Sequence, residues 1–108
     1  MKNQQEQVIQ RIIDQLVSRN LIIKIDKIYL FGSRARQDAA PRSDFDIAIS
    51  GLKISTRDWL NITNAIDETD TLLKIDALNF EQASTELQQK ILKEGKLIYE
   101  RTKNKTKF

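Results

Sequence analysis

The heptapeptide Asp44-Phe45-Asp46-Ile47-Ala48-Ile49-Ser50 alternates with period two, and this alternation narrows the folds open to the chain more than any other stretch. Successive side chains of an extended backbone leave on opposite faces, so Phe45, Ile47 and Ile49 share one apolar face. Asp44, Asp46, Ala48 and Ser50 share the other, where small or charged side chains leave room above a sheet. The run reads as a strand that ends at Gly51, with its apolar face set into a core.

The elements around it follow from the same kind of patterning. Val8, Ile9, Ile12, Ile13, Leu16 and Val17 recur at three- and four-residue steps, which predicts an amphipathic helix with one buried face through about residue 19. KIDKIYLFG predicts a strand over about 26–31 that stops at Gly32. Ser33 can cap a short helix through Ala35 and Arg36, and QDAAPRS reads as a loop that Pro41 keeps from continuing helically. Ser55 and Asp58 form a variant capping box ahead of Trp59, Ile62, Ala65 and Ile66, predicting a helix over about 56–68. LLKIDALNF predicts a strand of about eight residues. Ser84 opens a last helix with Leu87, Ile91 and Leu92 inward and Gly95 as its stop, and Lys96 to Glu100 adds a short extended piece. This order predicts an α/β fold: one sheet of three or more strands with helices packed on it.

A chain of 108 residues with a hydrophobic share of 40% buries a core without help from disulfides or metals. One domain over 1–100 is expected, followed by a basic, flexible tail over 101–108. The sequence has no cysteine and no histidine, which excludes disulfide frameworks, thiol chemistry, imidazole bases and His-ligated metals. Acids, bases and ligands must therefore be carboxylates, Lys, Tyr or hydroxyls. The net charge is +3, yet Arg101, Lys103, Lys105 and Lys107 supply +4, leaving a body near neutrality. Direct nucleic-acid binding is not expected from so local a basic stretch. The N-terminus lacks the pattern of a signal peptide, and no window approaches the roughly 18 apolar residues of a membrane span, so a cytoplasmic location is expected.

Asp44 and Asp46 project together, about 7 Å apart along the strand. Two carboxylates so placed repel unless a cation stands between them, and an oxygen-only ligand set selects a hard cation, most naturally Mg²⁺. Gly32 permits a tight turn, and Ser33 sits where a helix begins, a place suited to a phosphate. Arg34 and Arg36 add positive charge beside it. A phosphate cradle next to a carboxylate metal site is what phosphoryl or nucleotidyl transfer requires. Asp76 breaks the local rule by standing in an apolar strand, and it reaches the same metals or takes a proton from an attacking hydroxyl if that strand lies beside DFDIAIS. A salt bridge to Lys74 is the plainer reading of Asp76. Asp14, Glu86 and Glu94 read as solvated helix-face charges, and Lys24 and Lys27 as surface charges.

Gly32-Ser33, ten intervening residues, then Asp44-Phe45-Asp46 resembles the G-S-x10-D-x-D signature of the nucleotidyltransferase superfamily that includes DNA polymerase beta and kanamycin nucleotidyltransferase. The lead-in YLFGSRAR, the later KIDALNF and the ending ILKEGKLIY look like the minimal nucleotidyltransferases (MNT) of prokaryotic toxin–antitoxin pairs, over about residues 6–100. The resemblance implies a mixed sheet and two Mg²⁺ ions held by Asp44, Asp46 and Asp76, the last being the third catalytic carboxylate. It also implies that Gly32 and Ser33 bind the triphosphate, with ATP as substrate. For MNT proteins paired with a HEPN-domain toxin, the implied reaction is AMP transfer to a toxin tyrosine, which silences an RNase. Assembly as a homo- or hetero-oligomer is compatible with this. The sequence departs from the common G-S-x-A-R-G continuation at Gln37, with Asp38 after it.

A competing reading is a binding module that neutralises a helical partner by complex formation, with a catalytically weak site. Transfer to a small molecule such as an aminoglycoside ranks lower, because no further domain is present to bury the acceptor. Nucleic-acid polymerisation lacks template-binding domains.

Overall fold

The computed structural model describes residues 4–36 and 44–101. The loop expected around Pro41, the departure at Gln37 and Asp38, and the tail beyond Arg101 lie outside the described residues.

Helix α1, Gln4–Ser18, buries Val8, Ile12 and Leu16, the i, i+4, i+8 line of its apolar stripe. Val17, expected on that face, is 54% exposed because it falls a quarter-turn beyond Leu16. The helix ends in a Schellman arrangement. Asn20 takes φ 58°, its N–H donates to the Val17 carbonyl at 3.0 Å, and the Leu21 N–H reaches back to the Leu16 carbonyl at 2.8 Å. This turn delivers the chain, through a short 3₁₀ turn at Ile22–Lys24, to strand β1, Lys27–Phe31.

Strand β1 is followed by α2, Ser33–Arg36, and by β2, Phe45–Ser50. The next elements are α3, Thr56–Asp67; β3, Ile75–Asn79; α4, Thr85–Glu94; and β4, Lys96–Glu100. The four strands form one mixed sheet in the order β3-β2-β1-β4. β1 is antiparallel to both β2 and β4, whereas β2 and β3 run parallel. A parallel pair needs a crossover, and α3 supplies it. The extended piece expected at 96–100 is thus a full edge strand. At Arg101 the N–H donates to the Asp26 carbonyl at 2.8 Å, and the guanidinium donates to the Ile23 carbonyl.

The main core lies on one face of the sheet. Ile28 and Leu30 of β1 and Phe45, Ile47 and Ile49 of β2 are all fully buried there, beneath α1 and α3. The other face is not as open as the small residues of β2 suggest. Ala48 is fully buried, α4 packs against β1 with Ile91 buried, and the Phe80 ring lies 5.5 Å from that of Tyr29. Glu81 closes the far end by accepting from the Ser50 hydroxyl at 2.6 Å and the Gly51 N–H at 3.1 Å. Room remains chiefly at the opposite end, around Asp46.

Two further expectations need correction. β3 begins at Ile75 rather than near Leu72, since Leu72 is fully exposed and the Leu73 N–H donates to the Thr71 hydroxyl at 3.1 Å in a turn. Leu92 is 59% exposed, because the i, i+4 pair Leu87 and Ile91 already defines the inward line of α4.

The capping box of α3 forms as the sequence predicts. The Asp58 N–H donates to Ser55 Oγ at 3.0 Å and the Ser55 N–H to Asp58 Oδ2 at 3.4 Å. Ser55→Ala is expected to lower unfolding stability by about 1 kcal/mol, measured as a shift in the urea midpoint with an unchanged slope.

Candidate active site

Three strand ends meet at one edge of the sheet: β1 finishes there, and β2 and β3 both begin there. In this register Asp46 lies opposite Phe31 of β1 on one side and Asp76 of β3 on the other. Residues paired in register project to the same face, so Asp46 and Asp76 stand side by side on adjacent strands. Asp44, just ahead of β2, is exposed at the mouth of the same edge.

Gly32 brings the backbone against this pair. Its φ of 77° is open to glycine and strained for other residues, and a Cβ added there would stand 2.6 Å from Asp46 Oδ2. The turn then starts α2, with the Gly32 carbonyl accepting from the Ala35 N–H at 3.1 Å and the Arg36 N–H at 3.2 Å. Gly32 is thereby held directly beside the Asp46 carboxylate, with Ser33 next in the chain at the start of α2.

The electrostatics of the pair are those of crowded like charges. Burial pushes the Asp46 carboxyl above its ordinary value of 3.8, repulsion from Asp76 and then Asp44 pushes it further, and Lys74 pulls it back. Lys74 Nζ lies 3.7 Å from Asp76 Oδ1, so the salt bridge expected as the plainer reading of Asp76 is present. It coexists with the placement of Asp76 beside Asp46. Among the described residues, no three carboxylates are gathered closely enough to form a ready-made metal cage. The donor set nonetheless fits a hard cation, because positive charge placed here relieves the repulsion that raises Asp46.

The two arginines take different places. The Arg34 side chain is buried, and its guanidinium lies 4.7 Å from the centre of the Phe45 ring. Phe45 points to the opposite face of β2 from Asp46, and Arg34 pins the start of α2 to β2 through this cation–π contact. Arg36 Nη1 lies 3.9 Å from Glu94 Oε1 and ties α2 to the end of α4. Glu94, expected to be simply solvated, is therefore a partner of this loop. Lys24 and Lys27 also have partners, Asp58 at 3.8 Å and Glu100 at 3.9 Å. The arginine pairings depend on helix packing across the sheet, for which the linear sequence carries no signal.

A cleft of about 700 Å³ opens beside Asp44, walled by Gln7 and Arg11 of α1 and by Leu72 and Lys74 ahead of β3. A second, of about 380 Å³, is bordered by Asp76 and Lys74. Among the described residues, no helix is long and apolar enough to cross a membrane.

The family described as "Polymerase beta, Nucleotidyltransferase" matches residues 10–104. A crystal structure of a toxin–antitoxin with AMP-PNP is similar at 28% identity over 86% of this chain and 73% of that one, with a TM-score of 0.63. The tri-AMPylated Shewanella oneidensis HEPN toxin in complex with its MNT antitoxin is similar at 26% identity over 90% and 73% of the two chains, with a TM-score of 0.63. A crystal structure of the toxin–antitoxin MntA–HepT gives 26% identity over 89% and 73%, with a TM-score of 0.59. No curated protein matches the chain.

Proposed function

The chain belongs to the polymerase beta nucleotidyltransferase family, and on that premise we propose that it is the antitoxin of a toxin–antitoxin pair, transferring AMP from ATP to a tyrosine of a HEPN-type RNase toxin. The observation that carries this reading is the juxtaposition of Asp46 with Asp76 and with the Gly32 turn, in a chain that resembles antitoxins solved with AMP-PNP and with an AMPylated toxin.

In this reading Asp44, Asp46 and Asp76 would hold two Mg²⁺ ions, which would supply positive charge to the phosphate oxygens. Gly32 lets the backbone come close to the triphosphate, and Ser33 offers it donors at the start of α2. Arg36, half-exposed and paired with Glu94, adds positive charge beside the phosphates, and Arg34, with its guanidinium over the Phe45 ring, holds the start of α2 beside them. The tyrosine hydroxyl oxygen forms a bond to the α-phosphorus as the bond to the bridging α–β oxygen breaks. Pyrophosphate leaves, and the hydroxyl proton passes to the Asp76 carboxylate. The acceptor approaches along the cleft beside Asp44, which is open enough to admit a protein side chain. Residues 1–100 serve as a single nucleotidyltransferase domain.

The test is to mix the purified chain with ATP, Mg²⁺ and its toxin partner and record intact masses. A mass gain equal to AMP on the toxin, located to a tyrosine by fragmentation and absent without ATP, is the expected result. Unmodified toxin in a mixture where an established AMP-transferring enzyme works on its own substrate would sink the proposal.

A further inference from the structure

Lys74 is fixed at the mouth of the site by its backbone. The Phe45 N–H, between Asp44 and Asp46, donates to the Lys74 carbonyl at 2.8 Å, which sets Lys74 beside β2 immediately before β3 begins. From there its ammonium lies 3.7 Å from Asp76 Oδ1, and its side chain borders both the cleft that contains Asp44 and the one that contains Asp76. It is also the charge that offsets the crowding of carboxylates at Asp46. Yet its side chain is 71% exposed, so the ammonium can swing away into water at little cost.

We propose that Lys74 is a built-in counter-ion of the carboxylate site, standing in for the hard cation and giving way to it when the cation binds. The inference rests on the reading of Asp44, Asp46 and Asp76 as cation ligands. An ammonium and a divalent ion cannot both sit among the same carboxylate oxygens without repelling each other. Lys74 therefore steadies the cation-free protein while weakening its grip on the cation. A purely structural ion pair would act differently, stabilising both forms alike and leaving cation affinity untouched.

The experiment titrates Mn²⁺ into the full chain at low ionic strength, reading free Mn²⁺ by electron paramagnetic resonance. Thermal unfolding is followed in parallel with chelator and with saturating Mn²⁺. Lys74→Met is expected to tighten Mn²⁺ binding roughly three- to fivefold, the size of effect open to an exposed ion pair. It should also lower Tm in chelator and enlarge the rise in Tm that Mn²⁺ produces. Lys74→Arg, which keeps the charge, should bind Mn²⁺ as the wild type does. Affinity in Lys74→Met equal to or weaker than wild type overturns the counter-ion role, provided Asp46→Asn has lost Mn²⁺ binding. If Asp46→Asn binds Mn²⁺ as tightly as wild type, the cation-site reading fails, and the counter-ion role falls with it.

Discussion

Asp46→Asn is expected to reduce AMP transfer at least about 100-fold while leaving the fold intact, because it removes a charge of the proposed metal site and almost no volume. The electrostatics of the folded chain add a second, less common expectation. Asp46 is pushed above 3.8 in the folded protein, so between that value and its raised folded value the native state holds the proton more tightly than the unfolded chain does. Stability consequently falls as pH rises through this window, and the cost persists at neutral pH, where the ionised carboxylate sits half-buried against Asp76 and Asp44. Asparagine carries no such cost. The variant should therefore be at least as stable as wild type at neutral pH, with the difference shrinking as the solution is acidified below 3.8. Urea unfolding at several pH values, alongside intact-mass measurement of transfer, checks both halves. A variant that lost transfer by unfolding would show a collapsed urea midpoint, and the loss could not then be assigned to the site.

A carboxylate whose ionisation is opposed by burial and by two like charges is out of place in an ordinary sheet. Asp46 occupies the strand face where its neighbours Tyr29, Ala48 and Leu78 are apolar or small, and a neutral side chain would serve the sheet better. Lys74 relieves part of the conflict and leaves part of it in place.

How much of this could be read before folding depends on the range of each interaction. The alternation of DFDIAIS fixes which side chains share a face, and the structure keeps Phe45, Ile47 and Ile49 together in the core as that period requires. The short helix at Ser33 and the capping box at Ser55 are local events, decided within four residues, and both appear. The pairing of Asp46 with Asp76 is of another kind. It depends on β3 crossing over α3 to lie parallel to β2, a choice that the sequence makes plausible through Asp76 alone and that register then completes. Arg34 shows the limit. Its charge and position beside Gly32-Ser33 suggest a phosphate ligand, and the fold adds a contact of its guanidinium with the Phe45 ring. No period in the sequence encodes that contact. Leu72 and Leu92 fail for a related reason, since hydrophobicity predicts burial only when a partner surface lies within reach.

Gly32 is where backbone geometry and the proposed chemistry meet, and Gly32→Ala is expected to damage both. Alanine at φ 77° costs about 1–2 kcal/mol from the contact of its Cβ with its own backbone. The new methyl also stands 2.6 Å from Asp46 Oδ2, closer than any real Cβ contact allows, so the carboxylate must turn away or the turn must shift. Either movement separates the proposed phosphate cradle from the proposed metal ligands, and transfer should fall by roughly 10- to 100-fold, the scale of loss expected when a reacting group is misplaced by about 1 Å. A double-mutant cycle separates the two causes. In an Asp46→Ala background the nearest contact left is Asp46 Cβ at 3.6 Å, an ordinary distance, so Gly32→Ala should there cost only its backbone strain. The stability loss in the wild-type background should exceed this by the energy needed to displace the carboxylate, measured as a coupling term in urea unfolding. Equal losses in the two backgrounds would mean that the carboxylate moves aside freely. Gly32 would then be required for the left-handed turn and not for its closeness to Asp46.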